Sequence, residues 1–228
     1  MIEGTIMKDN YDRASYSITQ GDIIERCRKM IYKSWEIFSN KVGQELILIN
    51  KEASMQLQYA YIIQQMIPLI LFRKEEKVEL ELETGVSDGN RLREVDIMIS
   101  VQSDDKLYRF AIELKCYKTV SSSGGKRGAQ NIFMKDVYED MYLIERYVKA
   151  NDADEGICLV MTDHKTFPYP RTKSGRCWDY DISQGAIAGR KEYTTDIAGK
   201  SVYINLEKEY QFNWDNIGKY YFLILKGK

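Results

Sequence analysis

The stretch FAIELKCYK, residues 110–118, decides the fold. Side chains alternate along a strand, so this run puts Phe110, Ile112 and Leu114 on one face and Ala111, Glu113 and Lys115 on the other. An acid and an amine thus share one face of an otherwise apolar strand. Either that face is solvated, or the two side chains share a task.

Upstream, KVELELE (77–83) alternates, with Val78, Leu80 and Leu82 inward and Glu79, Glu81 and Glu83 outward to water. GVSDGN (85–90) reads as a turn. REVDIMISV (93–101) alternates again, with Val95, Ile97, Ile99 and Val101 on one face and Glu94, Asp96, Met98 and Ser100 on the other. QSDDK (102–106) is a tight polar connection. A hairpin centred between Asp104 and Asp105 places Asp96 opposite Glu113, with Cβ atoms about 4.5–5.5 Å apart. A slip of one residue would separate them. Two carboxylates so placed repel unless a cation sits between them. Lys115 supplies part of that charge; a hard divalent ion with a preference for oxygen ligands would supply more. Of four Asp/Glu-x-Lys matches (Glu75/Lys77, Asp104/Lys106, Glu113/Lys115, Asp163/Lys165), only Glu113/Lys115 lies inside a strand with apolar partners on its other face.

Helices flank these strands. TQGDIIERCRKMIYKSWEIF (19–38) starts with a variant capping box from Thr19 to Asp22, and Ile24, Cys27, Ile31, Trp35 and Phe38 follow at helical spacing. NKEASMQLQYAYIIQQM (50–66) predicts a second helix ending near Pro68, with Glu52 on the same face as Met55, Gln56, Tyr59 and Ile63. SSSGGKRG (121–128) is a loop, and residues 129–149 form a long helix on which Asp136 and Asp140 read as solvated charges without function. EGICLVMT (155–162) is a buried strand, residues 163–200 are loop-rich, and SVYINLE (201–207) and YYFLILK (220–226) are further strands.

Composition narrows the chemistry. A net charge of −1, from 33 basic and 34 acidic residues, gives no whole-molecule field toward nucleic acid or membrane. Four cysteines without a Cys-x-x-Cys pair argue against a zinc site and fit reduced thiols. The single histidine, His164, sits in a loop with a structural role, so catalysis must come from carboxylates, amines, hydroxyls or a bound ion. No signal peptide is expected in residues 1–10. Residues 61–72 contain Gln64, Gln65 and Pro68 and are too short to span a bilayer. A soluble, cytoplasmic protein is expected.

Asp96, followed by Glu113-Leu114-Lys115, on the second and third strands of a helix–three strands–helix–strand order, resembles the PD-(D/E)xK nuclease superfamily. The resemblance covers residues 52–162. It implies an α/β, restriction-endonuclease-like mixed sheet flanked by helices, and cleavage of DNA phosphodiesters with Mg²⁺, for which Mn²⁺ could substitute. Asp96, Glu113 and the Leu114 backbone carbonyl would hold the ion, and Lys115 would act beside the attacking water. Glu52 matches the helix glutamate that many members place before the first strand, with Gln56 in support. Val95 stands where the motif has proline. Gln130 is followed four positions on by Met134, not tyrosine, which favours a restriction or defence endonuclease over an exonuclease.

A single domain is expected, with a helical extension over 19–50, a core over 51–162 and a C-terminal elaboration over 163–228. DNA is the expected partner, in a chain that could pair as a homodimer. Lys126, Arg127 and Gln130 could grip a phosphate. Arg171, Lys173 and Arg176, interleaved with Tyr169, Trp178 and Tyr180, could contact the backbone or stack on bases. Two rivals stand beside this reading: a nuclease-like fold that binds nucleic acid or protein without turnover, and a small-molecule phosphohydrolase using the same carboxylates.

Overall fold

The computed structural model describes residues 17–103, 106–120, 124–125 and 128–228. Helix α1 (Ile23–Gly43) begins at Asp22, whose carboxylate accepts the Glu25 N–H at 2.8 Å. Asp22, and not the expected Thr19, is therefore the cap; the Thr19 hydroxyl pairs instead with Ser17. Helix α2 (Glu52–Met66) passes into a 3-10 turn at Ile67–Leu69, because Pro68 has no N–H to continue the ladder. Strands β1 (Lys77–Ser87), β2 (Leu92–Ser103) and β3 (Lys106–Tyr117) follow, then α3 (Gln130–Lys149) and β4 (Glu155–Thr162). Strand β1 outlasts the expected turn at 85–90. The chain reverses at Asp88, whose N–H reaches the Arg91 carbonyl and whose side chain caps the Asn90 and Arg91 amides.

The C-terminal third contributes six short strands: β5 (Ile187–Ala188), β6 (Glu192–Tyr193), β7 (Ile204–Asn205), β8 (Tyr210–Gln211), β9 (Asp215–Ile217) and β10 (Tyr220–Leu225). Of the run expected at 201–207, only Ile204–Asn205 is strand. The main sheet has six strands in the order β1-β2-β3-β4-β10-β9. It is mixed: β3 and β4 are parallel, joined over α3, and the other neighbours are antiparallel. Tyr220–Leu225 thus lies inside the sheet beside β4 and is no peripheral addition.

Alternation along β3, β4 and β10 divides the interior into two main layers. Ile112, Leu114, Ile157, Leu159, Met161 and Phe222 pack under α1 and α2. There Trp35 stacks on Phe38 at 5.1 Å and meets Tyr59 and Phe222 edge-on, which ties α1, α2 and β10 together. Helix α1 is therefore part of the core and not an appendage to it. On the other face, Cys158, Val160, Leu223 and Leu225 pack under α3 and the C-terminal loops. The four cysteines are free thiols. Among the described residues, no helix is long and apolar enough to cross a membrane.

One expected face is broken. Ile97, Ile99 and Val101 lie under α1 and α2, but Val95 lies on the α3 side with Met98, Ala111 and Tyr147. Leu82↔Ile97 and Thr84↔Val95 pair normally, while Glu83 and Asp96 between them are unpaired and Glu83 has φ +53°. The kink lets the next residues change sides. Glu79, Glu81 and Glu83 are exposed as expected, but Leu82, expected to face inward, is exposed as well, at 41 %, beside the kink.

Candidate functional site

The kink occurs at Asp96. Strands β2 and β3 pair from Ser103↔Lys106 to Ile97↔Ile112, and the same register carried one step further brings Asp96 to Glu113. There the ladder stops. The Leu114 N–H donates to Asp96 Oδ2 at 2.7 Å, and the Cys116 N–H donates to Glu52 Oε2 at 3.0 Å. Two carboxylates therefore take the places of strand carbonyls along the open edge of β3. In a strand the N–H and C=O of one residue point the same way, so the Leu114 carbonyl faces the same gap. On the other side of the gap, Gln56 Nε2 donates to the Asp96 carbonyl at 2.8 Å and fixes the kinked backbone against α2.

Each carboxyl comes from a different element. Glu52 sits in the first turn of α2, where Ser54 organises the entry by accepting the Asn50 and Lys51 N–H groups. Met55, Gln56, Tyr59 and Ile63 are buried on that helix face, which turns Glu52 toward the sheet. Glu113 points toward α3 and is buried at 6 % exposure, its Oε1 accepting the Tyr147 hydroxyl at 2.9 Å. The fourth carboxyl, Asp140 on α3, is buried at the same 6 %. It is not the solvated charge expected from the sequence. It lies on the apolar face with Phe133, Val137 and Ile144, at the spacing that marks a buried helical stripe. Small residues bring α3 this close: Gly156 pairs with Ala111 under the helix, and a Cβ on Gly156 would stand 2.6 Å from Ile144 Cβ.

Lys115 lies among these acids. Its ammonium is 3.2 Å from Asp140 Oδ2 and 3.6 Å from Glu52 Oε1, so α2 and α3 hold it from opposite faces of the sheet. Burial lowers the Lys115 pKa, but the Asp140 and Glu52 charges outweigh it and keep Lys115 protonated. The carboxyls carry the opposite strain. Burial raises Glu52 and Asp96; burial with the Asp140 and Asp96 charges raises Glu113 well above the usual range; burial pushes Asp140 up to about 8. Four acids share one ammonium, and all four resist ionising together.

Among the described residues, no three His, Cys, Asp or Glu side chains form a ready-made metal shell. The donor chemistry nevertheless fits a hard cation, because Asp96, Glu113, Glu52 and the Leu114 carbonyl are all oxygen donors, and Asp96 and Glu52 each commit one oxygen to a β3 amide.

The remaining candidates are elsewhere. Gln130 opens α3, ten residues before Asp140 and so about 15 Å away along the helix axis. Its Nε2 lies 2.9 Å from His164 Nε2, and Thr166 Oγ1 lies 2.5 Å from Nδ1. Burial lowers the His164 pKa, and its ring packs on Tyr117 and Phe167. Arg171 and Arg176 are exposed, while Lys173 is engaged by Asp181 at 2.6 Å and lies over Trp178. Lys126 and Arg127 lie outside the described residues.

Comparison with protein-family models, with curated proteins and with solved structures returned no match for this chain.

Proposed function

We propose that the chain is a Mg²⁺-dependent DNA nuclease of the PD-(D/E)xK, restriction-endonuclease-like type. One observation carries this reading: acids from α2, β2, β3 and α3 converge with Lys115 where β2 leaves β3, and each is held above its usual range. Perturbed ionisation shared by a cluster at a break in a sheet marks a site better than any one residue does.

Asp96, Glu113 and the Leu114 carbonyl would hold the ion, with Glu52 beside them. When bound, the ion would neutralise the acids and offset charge on a phosphodiester. The chain's own groups do the rest. Lys115, kept cationic by its neighbours, holds a water or a phosphate oxygen in the gap. Glu52 and Asp96 keep the β3 edge open by occupying its amides, and Gln56 fixes the Asp96 backbone. Exposed Arg171 and Arg176 are available to the DNA backbone, and an endonuclease of the restriction or defence kind remains the proposed role.

The test is cleavage of supercoiled plasmid and of single-stranded DNA with Mg²⁺, with Mn²⁺ and with a chelator, using wild type and Lys115→Ala. Metal-dependent cleavage by wild type that the substitution abolishes, with circular dichroism unchanged, supports the nuclease. No cleavage of either substrate with either metal would instead favour a nuclease-like fold that binds without turnover.

A further inference from the structure

We propose that Asp140 is the positioning residue for Lys115, a role that rests on the nuclease reading for its catalytic meaning. Glu52 and Asp96 accept amides of β3, and Glu113 accepts the Tyr147 hydroxyl. Asp140 has no such commitment. Its Oδ2 is fully buried, and among the described residues it meets no hydrogen-bond donor apart from the Lys115 ammonium at 3.2 Å. A carboxylate on the apolar stripe of a helix is costly to bury unless a cation compensates it. Here the compensating cation is the Lys115 ammonium.

The geometry explains why one partner is insufficient. A lysine has four rotatable side-chain bonds and can sweep a wide arc. Glu52 is half-exposed and stands 3.6 Å away, a loose tether on the α2 side. Asp140 pulls from the α3 side, behind a wall formed by Val137, Met141 and Ile144. The ammonium is held between these two pulls, within reach of the Asp96 charge. Without Asp140, Glu52 alone would draw it out toward solvent. Asp140 Oδ2 is fully buried and touches Lys115, so its proposed action is through Lys115 and not on the substrate.

Two readouts on the intact chain test this. The first needs neither metal nor turnover: Lys115 is acylated by an amine-reactive reagent in the presence of chelator, and peptide mass spectrometry compares it with the exposed Lys77. Asp140→Asn is expected to raise Lys115 labelling about ten-fold and leave Lys77 unchanged. Unchanged Lys115 labelling overturns the proposal, whatever the cleavage result. The second readout is turnover. Asp140→Asn is expected to lower kcat by about 10–100-fold, as loss of a supporting partner does, with KM for DNA within three-fold. It should cost nothing further in a Lys115→Ala background. An unchanged kcat, or a loss that adds to that of Lys115→Ala, overturns the proposal too. Absence of cleavage by wild type defeats the nuclease reading alone, since labelling still decides whether Asp140 holds Lys115. Asp140→Leu fills the site without charge and serves both readouts if the asparagine variant does not fold.

Discussion

Asp96 Oδ2 accepts the Leu114 N–H at 2.7 Å and so occupies the place of a strand carbonyl at the point where β2 turns away from β3. A side chain that both ends a ladder and faces the resulting gap has a structural and a chemical duty, and substitution can separate them. Asp96→Asn keeps an oxygen for the Leu114 amide but loses the charge. The expected outcome is a melting temperature within a few degrees of wild type and cleavage reduced by at least about 100-fold. Parallel thermal melts and plasmid assays check it.

The pH dependence of stability follows from the raised acids. A carboxyl whose folded pKa is raised contributes stability that is full below its unfolded value, about 4, and is lost as pH rises through the folded value. For Asp140 the folded value is about 8, so stability without divalent ions should decline from about pH 4 toward pH 8. Asp88 acts in the opposite sense: burial opposes its ionisation, but Arg93 and two backbone amides hold it down to about 2, and its contribution is lost only in strong acid. The melting temperature without metal is expected to fall by on the order of 5 °C between pH 5 and pH 8. Mg²⁺ should reverse the fall at pH 8. A flat profile would contradict the shared strain of the four acids.

Tyr147 supports Glu113 from α3 much as Gln56 supports the Asp96 backbone from α2. Tyr147→Phe removes the hydroxyl and retains the ring packed with Val95 and Met98. The Mg²⁺ concentration for half-maximal cleavage is expected to rise roughly ten-fold, as for other supporting partners of metal ligands. A magnesium titration of the initial cleavage rate reads this directly.

Gly156 sets the distance between α3 and the sheet. Its Cβ would meet Ile144 Cβ at 2.6 Å and the Ile144 carbonyl oxygen at 3.0 Å, so part of the obstruction is backbone. Gly156→Ala should cost about 1–3 kcal/mol through overpacking. By moving α3 it should also loosen the hold of Asp140 on Lys115. Chemical denaturation measures the first effect, and Lys115 acylation measures the second.

Local patterns made much of this legible. Alternation in residues 77–83, 93–101 and 107–118 predicts β1, β2 and β3, and the midpoint between Asp104 and Asp105 predicts the register that brings Asp96 to Glu113. The apolar face of α2 predicts the direction of Glu52. What escaped depends on distant contacts. Val95 changes face because Asp96 leaves the ladder, and strict alternation cannot anticipate a break. Tyr220–Leu225 is recognisable as a strand, but its place beside β4 is set by pairing between segments far apart in the chain. Asp140 could have been found: Phe133, Val137, Asp140 and Ile144 share a stripe three and four residues apart, and an acid there asks for a partner. Tyr147, one further step along, completes that stripe.

The most direct test is Mn²⁺ binding at pH 8, followed by electron paramagnetic resonance, for wild type and Glu113→Gln. Wild type is expected to bind Mn²⁺, to lose it in competition with excess Mg²⁺, and to bind at least ten-fold more tightly than Glu113→Gln. Equal binding by the two proteins, or none by wild type, would contradict a cation site in the gap between Asp96 and Glu113.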